Sequence, residues 1–209
     1  MRAVKKWLQE NNFFIRKLHS LSGVVPLGAF LIEHLITNSF AKFGPEVYNQ
    51  KIEWFQSLPY LYALEYGFIF IPILFHALLG FVFLWAWSDN SARYPYGRNW
   101  MYTLQRASGM IVFVFIAYHV WEFRFETQLT GAPVNFDLVA NSLSNPLIFY
   151  FYVLGITLTV FHFANGLWGF CVHWGITVGP RAQKLSGFLF LALGLVLVYI
   201  GLDALWAFR

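Results

Sequence analysis

The sequence predicts an all-α integral membrane protein with five transmembrane helices, and composition, hydropathy and charge placement each support this prediction. Of the 209 residues, 58% are hydrophobic and 11% are charged, whereas soluble domains contain about 25% charged residues. So few charged side chains cannot cover a surface that faces water on all sides. We therefore expect lipid to surround much of the chain.

Five apolar stretches approach the length of about 20 residues that a membrane-spanning helix needs. They cover residues 18–40, 60–87, 104–124, 146–171 and 183–206. Because these stretches use most of the chain, the sequence predicts one membrane domain over residues 1–209. The basic segment before them lacks the apolar core and cleavage site of a secretory signal, so we expect it to be retained. The single cysteine, Cys171, is expected to be an ordinary packed side chain.

The five predicted helices differ in their starts and in their histidines. The first, third and fifth begin alike, with a polar or basic group before a Ser-Gly pair: His19-Ser20-Leu21-Ser22-Gly23, Gln105-Arg106-Ala107-Ser108-Gly109 and Gln183-Lys184-Leu185-Ser186-Gly187. The second and fourth helices run in the opposite direction. One histidine lies well inside each of the first four helices, and the fifth has none: His34, His76, His119 and His162.

Lysine and arginine are unevenly distributed between the two ends of the predicted bundle. Ten of the fourteen lie at the end that holds the N-terminus, which we call the basic end: Arg2, Lys5, Lys6, Arg16, Lys17, Arg93, Arg98, Arg106, Arg181 and Lys184. The opposite end, the acidic end, holds the other four and most of the carboxylates. The positive-inside rule then predicts a cytoplasmic N-terminus and a C-terminus outside. The net charge of +4 is therefore a topology signal, and no nucleic-acid partner is expected.

The four histidines are predicted to lie at two levels of the bilayer. His34 lies fifteen residues beyond His19, near the basic-end start of the first helix, and His119 lies fifteen residues beyond Leu104, or about 22 Å in each case. His76 and His162 each follow the acidic-end start of theirs by sixteen residues, or about 24 Å. In an apolar core about 30 Å thick, His34 and His119 share a level near the acidic end, and His76 and His162 share a level near the basic end.

Two histidines at equal depth on different helices can bind one iron from opposite sides. Imidazole suits iron, copper and zinc, but a bare metal ion would also recruit carboxylate or thiolate ligands, and Glu33 does not share a helix face with the adjacent His34. The aromatic, glycine-rich interior favours a flat macrocycle. The sequence thus predicts two stacked haems b within a bundle of the first four helices, one on His76 and His162 and one on His34 and His119. The alternatives are buried histidines hydrogen-bonded to neighbouring helices and glycines that serve helix packing.

An internal repeat supports this pairing, because His34 and His119 are 85 residues apart and His76 and His162 are 86 apart. The repeated helix starts add candidates for binding the propionates of the haem nearest the basic end: His19, Ser20, Arg106 and Lys184. Charge-assisted hydrogen bonds from such groups to carboxylates would be strong. The alternative is that they anchor the helix starts among lipid headgroups.

The stretch from Arg16 to Gly28 followed by His34, and Gln105-Arg106-Ala107-Ser108-Gly109 followed by His119, resemble the cytochrome b558 subunits of succinate dehydrogenase. The resemblance covers essentially the whole chain. It implies a di-haem anchor in a prokaryotic cell membrane for a flavoprotein and an iron–sulfur subunit. It also implies that His76 and His162 bind the proximal haem and His34 and His119 the distal haem.

The function implied by the resemblance is electron transfer from succinate, through the partner subunits and both haems, to menaquinone near the acidic end. Candidate residues of the quinone region are Glu53, Trp54, Glu65 and Trp121, with Glu122 as a further carboxylate on that side. Ordinary interfacial acids and an aromatic belt are the alternative interpretation. The chain has no candidate flavin or dicarboxylate site, so we expect no catalytic residue in it and no succinate oxidation by it alone.

Three rival functions remain at this point. A fumarate reductase subunit would pass electrons in the reverse direction. Some fumarate reductases of this type have a glutamate two residues before the fourth ligand, where this chain has Val160, which favours succinate oxidation. A di-haem subunit of another quinone-linked dehydrogenase fits the repeat less well, and a histidine-containing transporter would not need histidines paired by depth.

Overall fold

The computed structural model describes residues 2–85 and 90–209, and side chains from residue 13 onward. In this part of the chain every regular element is helical, and five helical spans are long and apolar enough to cross a membrane. The spans are Phe13–Phe43, Leu61–Trp85, Gly97–Thr130, Pro146–His173 and Pro180–Ala207. The predicted all-α membrane fold is confirmed.

Several spans are composed of more than one helical segment. The first consists of Arg2–Val24, Pro26–Ser39 and the 3₁₀ turn Phe40–Phe43, with a break where Pro26 removes a backbone donor. The second consists of Leu61–Leu64, a π-helical turn Glu65–Phe70 and Ile71–Trp85. The third consists of Gly97–Val120, a π-helical turn Trp121–Phe125 and Glu126–Thr130. The fourth and fifth spans are single α-helices.

The first, third, fourth and fifth observed helical spans are longer than the apolar stretches that predicted them. The third begins seven residues before the expected start at residue 104 and continues past 124 to Thr130. Polar residues can continue a helix into the headgroup region because the backbone hydrogen bonds stay within the helix. The fifth begins at Pro180, after Gly179 at φ 84°, because proline suits the first helical turn. The expected end of the second helix at Trp87 lies outside the described residues.

The spans pack unequally. The fourth packs most extensively against the third and fifth, the first contacts the second and the fourth, and the fifth also lies against Pro26–Ser39. The fifth span approaches closely through small residues: a Cβ at Gly201 would lie 2.8 Å from Ile156, and one at Gly194 would lie 3.1 Å from Ala164. The fifth span therefore supports the first and fourth spans from one side.

Two short helices, Pro45–Gln56 and Phe136–Leu143, close the acidic end of the bundle. Asn49 accepts a hydrogen bond from the backbone N–H of Phe136 at 2.8 Å and joins the two helices. Tyr48 is buried against Phe136 and Phe208. Burial raises the pKa of Tyr48 to about 12, so its hydroxyl stays protonated and donates to Asn38.

Candidate functional site

The structure brings the four span histidines together in the two predicted pairs. The ring centroids of His76 and His162 are 6.3 Å apart, and their planes are inclined at 88°. The ring centroids of His34 and His119 are 5.6 Å apart, and their planes are inclined at 79°. Each pair joins one histidine from the first or second span to one from the third or fourth.

These separations suit two imidazoles on opposite sides of one metal ion. Metal–nitrogen bonds to imidazole are about 2.0–2.1 Å long, so two opposed ligands place their ring centroids about 6 Å apart. The described part of the chain contains no cluster of three or more histidine, cysteine, aspartate or glutamate side chains suited to a metal ion. A two-histidine site needs its other ligands from a prosthetic group, which is the donor set that a haem iron requires.

The Nδ1 atoms of the basic-end pair, His76 and His162, have matching surroundings. His76 Nδ1 lies 3.0 Å from the backbone oxygen of His19, and His162 Nδ1 lies 3.0 Å from the backbone oxygen of Gln105. A carbonyl oxygen can only accept, so Nδ1 has the proton in both rings. Each Nε2 therefore has the lone pair that a metal requires.

A serine and a glycine complete each of these two surroundings. Ser22 and Ser108 donate to the same backbone oxygens and lie 3.4 and 3.2 Å from Nδ1 of the two histidines. The following glycines lie against the rings: a Cβ at Gly23 would be 2.6 Å from Cε1 of His76, and one at Gly109 would be 2.9 Å from Cε1 of His162. Sequence reasoning found the repeated Ser-Gly pairs but missed this role for the serines. The 86-residue repeat was the signal that could have revealed it.

The acidic-end pair, His34 and His119, has different partners. The side-chain nitrogen of Asn38 lies 3.4 Å from His34 Nε2 and donates to the backbone oxygen of His34 at 2.8 Å. His119 Nδ1 lies 3.4 Å from the hydroxyl of Tyr152, which donates to Glu122. Sequence reasoning named Glu122 as a carboxylate on the side of the quinone region, with an interfacial acid as the alternative, and missed Tyr152, for which the sequence holds no periodic signal.

Of the four propionate candidates, His19 lies closest to the paired histidines. Its ring stacks on His76 with centroids 4.0 Å apart and contacts the edge of Phe83. Its Nε2 is buried and has no hydrogen-bond partner in the described part of the chain. A buried donor or acceptor without a partner is costly, and a haem propionate would supply one. This orphaned atom and the glycines against the two rings fit a haem.

The other three propionate candidates have protein partners. Ser20 donates to the backbone oxygen of Lys17 and accepts from Trp174 at 3.0 Å. The Arg106 guanidinium lies over the ring of Tyr102, 3.4 Å from its centroid. Lys184 is exposed on the fifth span and lies 6.0 Å from the ring centroid of Phe188.

In the described residues no hydrogen bond, ion pair or ring contact joins any two of the four candidates for the quinone region, although Glu53 and Trp54 are consecutive on one helix. Glu53 is exposed on the Pro45–Gln56 helix, and Trp121 is 56% exposed on the third span. Glu65 forms an ion pair with Arg124 between the two π-helical turns.

Trp54 lines a cavity of about 250 Å³ at the acidic end, between the end of the first span and the Pro45–Gln56 helix. The other lining residues are Thr37, Phe40, Lys51 and Phe55. The Lys51 ammonium lies over the Phe40 ring at 4.9 Å, and Thr37 donates to Glu33 at 2.6 Å. The cavity thus combines aromatic walls with a cation and a hydroxyl group.

The chain is similar in sequence to known membrane proteins. Residues 92–201 match the model of the family described as succinate dehydrogenase/fumarate reductase transmembrane subunit. The chain is 47% identical over 196 residues to the succinate dehydrogenase cytochrome b558 subunit of Bacillus subtilis (strain 168). That similarity covers 94% of this chain and 96% of the relative.

Proposed function

This chain belongs to the succinate dehydrogenase/fumarate reductase transmembrane subunits, and from that premise we propose that it binds two haems b and passes electrons from succinate to menaquinone. It is the cytochrome b membrane-anchor subunit of succinate dehydrogenase, an enzyme complex. Membership implies haem as cofactor and a flavoprotein and an iron–sulfur protein as partners. The number of haems, the quinone and the direction of transfer are our proposals.

The proposal of two haems rests on the two histidine pairs at 6.3 and 5.6 Å. His76 and His162 would hold the basic-end haem, and His34 and His119 the acidic-end haem. When bound, haem supplies one-electron redox chemistry. The chain itself orients the imidazoles, fixes the proton on Nδ1 of the basic-end pair, and excludes water with the aromatic side chains around the rings.

We propose that His19 and Arg106 bind the propionates of the basic-end haem. His19 Nε2 is buried and lacks a partner among the residues that the structure describes, and Arg106 lies on the third span beside Gln105, whose backbone oxygen contacts His162. Ser20 and Lys184 belong to the same proposal, as hydrogen-bond donors at the basic end. Ser20 would have to give up its bond to Lys17, and Lys184 would have to reorient from Phe188.

The excess of lysine and arginine at the basic end supports a cytoplasmic position for that end and a C-terminus outside, in a prokaryotic cell membrane. The flavoprotein and iron–sulfur subunits would then dock at the basic end, nearest the His76–His162 pair. Electrons would pass from this pair to the His34–His119 pair and leave at the acidic end.

We propose the cavity beside Trp54 as the binding site of the menaquinone ring. Phe40, Trp54 and Phe55 would contact the faces of the ring, and the Lys51 ammonium would bind a carbonyl oxygen. Reduction of a quinone to a quinol takes two electrons and two protons. Glu53 lies next to Trp54 in the chain, while Glu65 and Trp121 belong to the wider quinone region at the same end.

Succinate oxidation is the direction we propose, with fumarate reduction as the alternative. Val160 is 1% exposed and packs with Leu35 and Leu197. In some fumarate reductases of this type, a proton that crosses the membrane with the electrons compensates for their charge. An apolar side chain at this position cannot transfer such a proton.

The experiment that tests the proposal uses the complex purified with its flavoprotein and iron–sulfur subunits. We expect two haems b per copy of this chain and a reduced b-type α band on addition of succinate. A complex without that band would refute the electron-transfer function and favour a transporter. Haems that respond to formate or hydrogen but not to succinate would indicate another quinone-linked dehydrogenase.

A further inference from the structure

A chain of hydrogen bonds lies behind His119 at the acidic end. His119 Nδ1 is 3.4 Å from the Tyr152 hydroxyl, and that hydroxyl donates to Glu122 Oε2 at 2.8 Å. Ser142 donates to the other oxygen of Glu122 at 2.5 Å. Tyr152 is 5% exposed, so water does not replace these contacts. Glu122 is held by two hydroxyl groups and is not a free interfacial acid.

Which group donates in each of these hydrogen bonds follows from the number of protons available. A tyrosine hydroxyl has one proton. Tyr152 donates it in the hydrogen bond to the carboxylate of Glu122, which can only accept. The oxygen of Tyr152 can then accept from His119, whose proton must be on Nδ1. The Nε2 atom of His119 is left with its lone pair, as metal binding requires.

His119 differs in this respect from the basic-end histidines. His76 and His162 donate to neutral backbone oxygens. The hydrogen bonds that begin at His119 instead lead through Tyr152 to the carboxylate of Glu122. A carboxylate behind a ligating imidazole raises the basicity of the ligand. A more basic ligand stabilises ferric over ferrous iron and lowers the reduction potential of the haem.

Glu122 lies where the third span changes its helical form. His119 is in the last α-helical turn, and Glu122 is in the π-helical turn Trp121–Phe125 that follows it. Single π-helical turns inside α-helices are frequent at functional sites. The wider turn places the carboxylate within hydrogen-bond reach of both Tyr152 and Ser142, on the fourth span and the Phe136–Leu143 helix.

We propose that Glu122 and Tyr152 are positioning residues that orient His119, raise its basicity and so lower the midpoint potential of the acidic-end haem. This inference rests on the proposed ligation of that haem by His34 and His119. In this proposal the negative charge of Glu122 acts on His119 through the hydroxyl of Tyr152.

The test is a redox titration of the two haems in the intact complex. Glu122→Gln keeps the shape and an acceptor for Tyr152 but removes the charge. We expect the acidic-end haem to be reduced more easily by about tenfold in the equilibrium constant, or about 59 mV for one electron, with the basic-end haem unchanged. Tyr152→Phe should shift the same haem in the same direction, and the double variant should add little to either.

Two further variants separate the proposal from simpler explanations. Glu126→Gln removes an exposed carboxylate one turn further along the third span, and we expect it to leave both potentials unchanged. Ser142→Ala keeps the charge of Glu122 while removing one donor, so the acidic-end potential should stay constant or fall. An equal shift in Glu126→Gln, or a rise in Ser142→Ala, would overturn the proposal.

Different results would refute the role of Glu122 and the proposed ligation of the haem by His34 and His119. Wild-type potentials in Glu122→Gln with both haems present would refute only the role of Glu122. An acidic-end haem that survives His119→Ala would refute the ligation. If the Glu122→Gln complex lacks the acidic-end haem, Glu122→Asp is the deciding variant. Retention of this haem in Glu122→Asp supports the charge argument. Loss of the haem from both variants overturns the proposal.

Discussion

Replacing Gly23 by alanine tests whether the glycine against His76 is required for haem binding. The new Cβ would lie 2.6 Å from Cε1 of His76. Carbon atoms in contact are about 3.5 Å apart or more, so the ring would have to move by about 0.9 Å. His76 has little freedom to do so, because Nδ1 is bound to the His19 oxygen at 3.0 Å and the ring stacks on His19.

Overpacking of this kind costs about 1–3 kcal/mol, which lowers affinity by about 5- to 150-fold. We expect the purified Gly23→Ala complex to lose the basic-end haem, so that the pyridine haemochrome assay falls from two haems per chain towards one. Gly109→Ala should show a weaker loss, since its Cβ would lie 2.9 Å from His162.

Gly169→Ala is the matched control, because among the described residues no atom beyond its chain neighbours and its own helix backbone lies within 4 Å of the new Cβ. It should keep both haems, with helix propensity improved by up to about 1 kcal/mol. Two haems with unchanged potentials in Gly23→Ala would refute the reasoning. So would equal loss of haem in Gly23→Ala and Gly169→Ala, because it would show that the effect does not depend on contact with the histidine.

Three other predictions use the same complex. His76→Leu should lower the haem content from two to one, whereas His173→Leu, at the exposed end of the fourth span, should leave it at two; equal losses would show that the ligand assignment is wrong. Lys51→Gln should raise the KM for a short-chain menaquinone analogue without changing the haem spectra, while Lys42→Gln, which breaks only an exposed ion pair, should leave the KM unchanged. Glu65→Gln should lower the thermal stability of the complex by about 1–3 kcal/mol, because its arginine partner is only 26% exposed; unchanged stability would mean that this ion pair contributes nothing.

The depth of the histidines could be predicted from the sequence because it depends only on the fixed rise of a helix. Counting from the helix starts placed His34 with His119 and His76 with His162, and the structure brings the same pairs together. No knowledge of neighbouring helices was needed, since each helix crosses the same bilayer.

Contacts that depend on helix rotation and packing could not be predicted in this way. Tyr152 lies ten residues before His162 on the fourth span, and nothing in that spacing indicates that it faces His119 of the third. Glu65 was assigned to the quinone region from its depth alone. Its ion pair with Arg124 depends on how the second and third spans approach each other.

The same distinction applies to Lys184, whose neighbours could not be predicted from the sequence. The repeated Ser-Gly start suggested that the fifth helix resembles the first and third, so its lysine was grouped with Arg106. The fifth span instead packs on the outside of the fourth and on Pro26–Ser39, where Lys184 is exposed. Sequence similarity between helix starts does not specify which helices surround a site.

The repeat itself explains why the two histidine pairs have different surroundings. Eleven residues separate Gly23 from His34, whereas ten separate Gly109 from His119. Because each residue of a regular helix turns by about 100°, this difference of one residue, together with the break at Pro26 in the first span, places His34 and His119 differently relative to their glycines. The first two helices and the next two therefore have corresponding residues at the basic end, but this correspondence is lost at the acidic end.

At the basic end, this match gives His76 and His162 the same backbone acceptor, serine and glycine. At the acidic end, His119 contacts Tyr152 of the fourth span, while His34 contacts Asn38 of its own helix. On the proposed ligation the two haems would have different potentials, because His119 is connected through Tyr152 to the carboxylate of Glu122, whereas the residue 85 positions before Glu122 is Thr37.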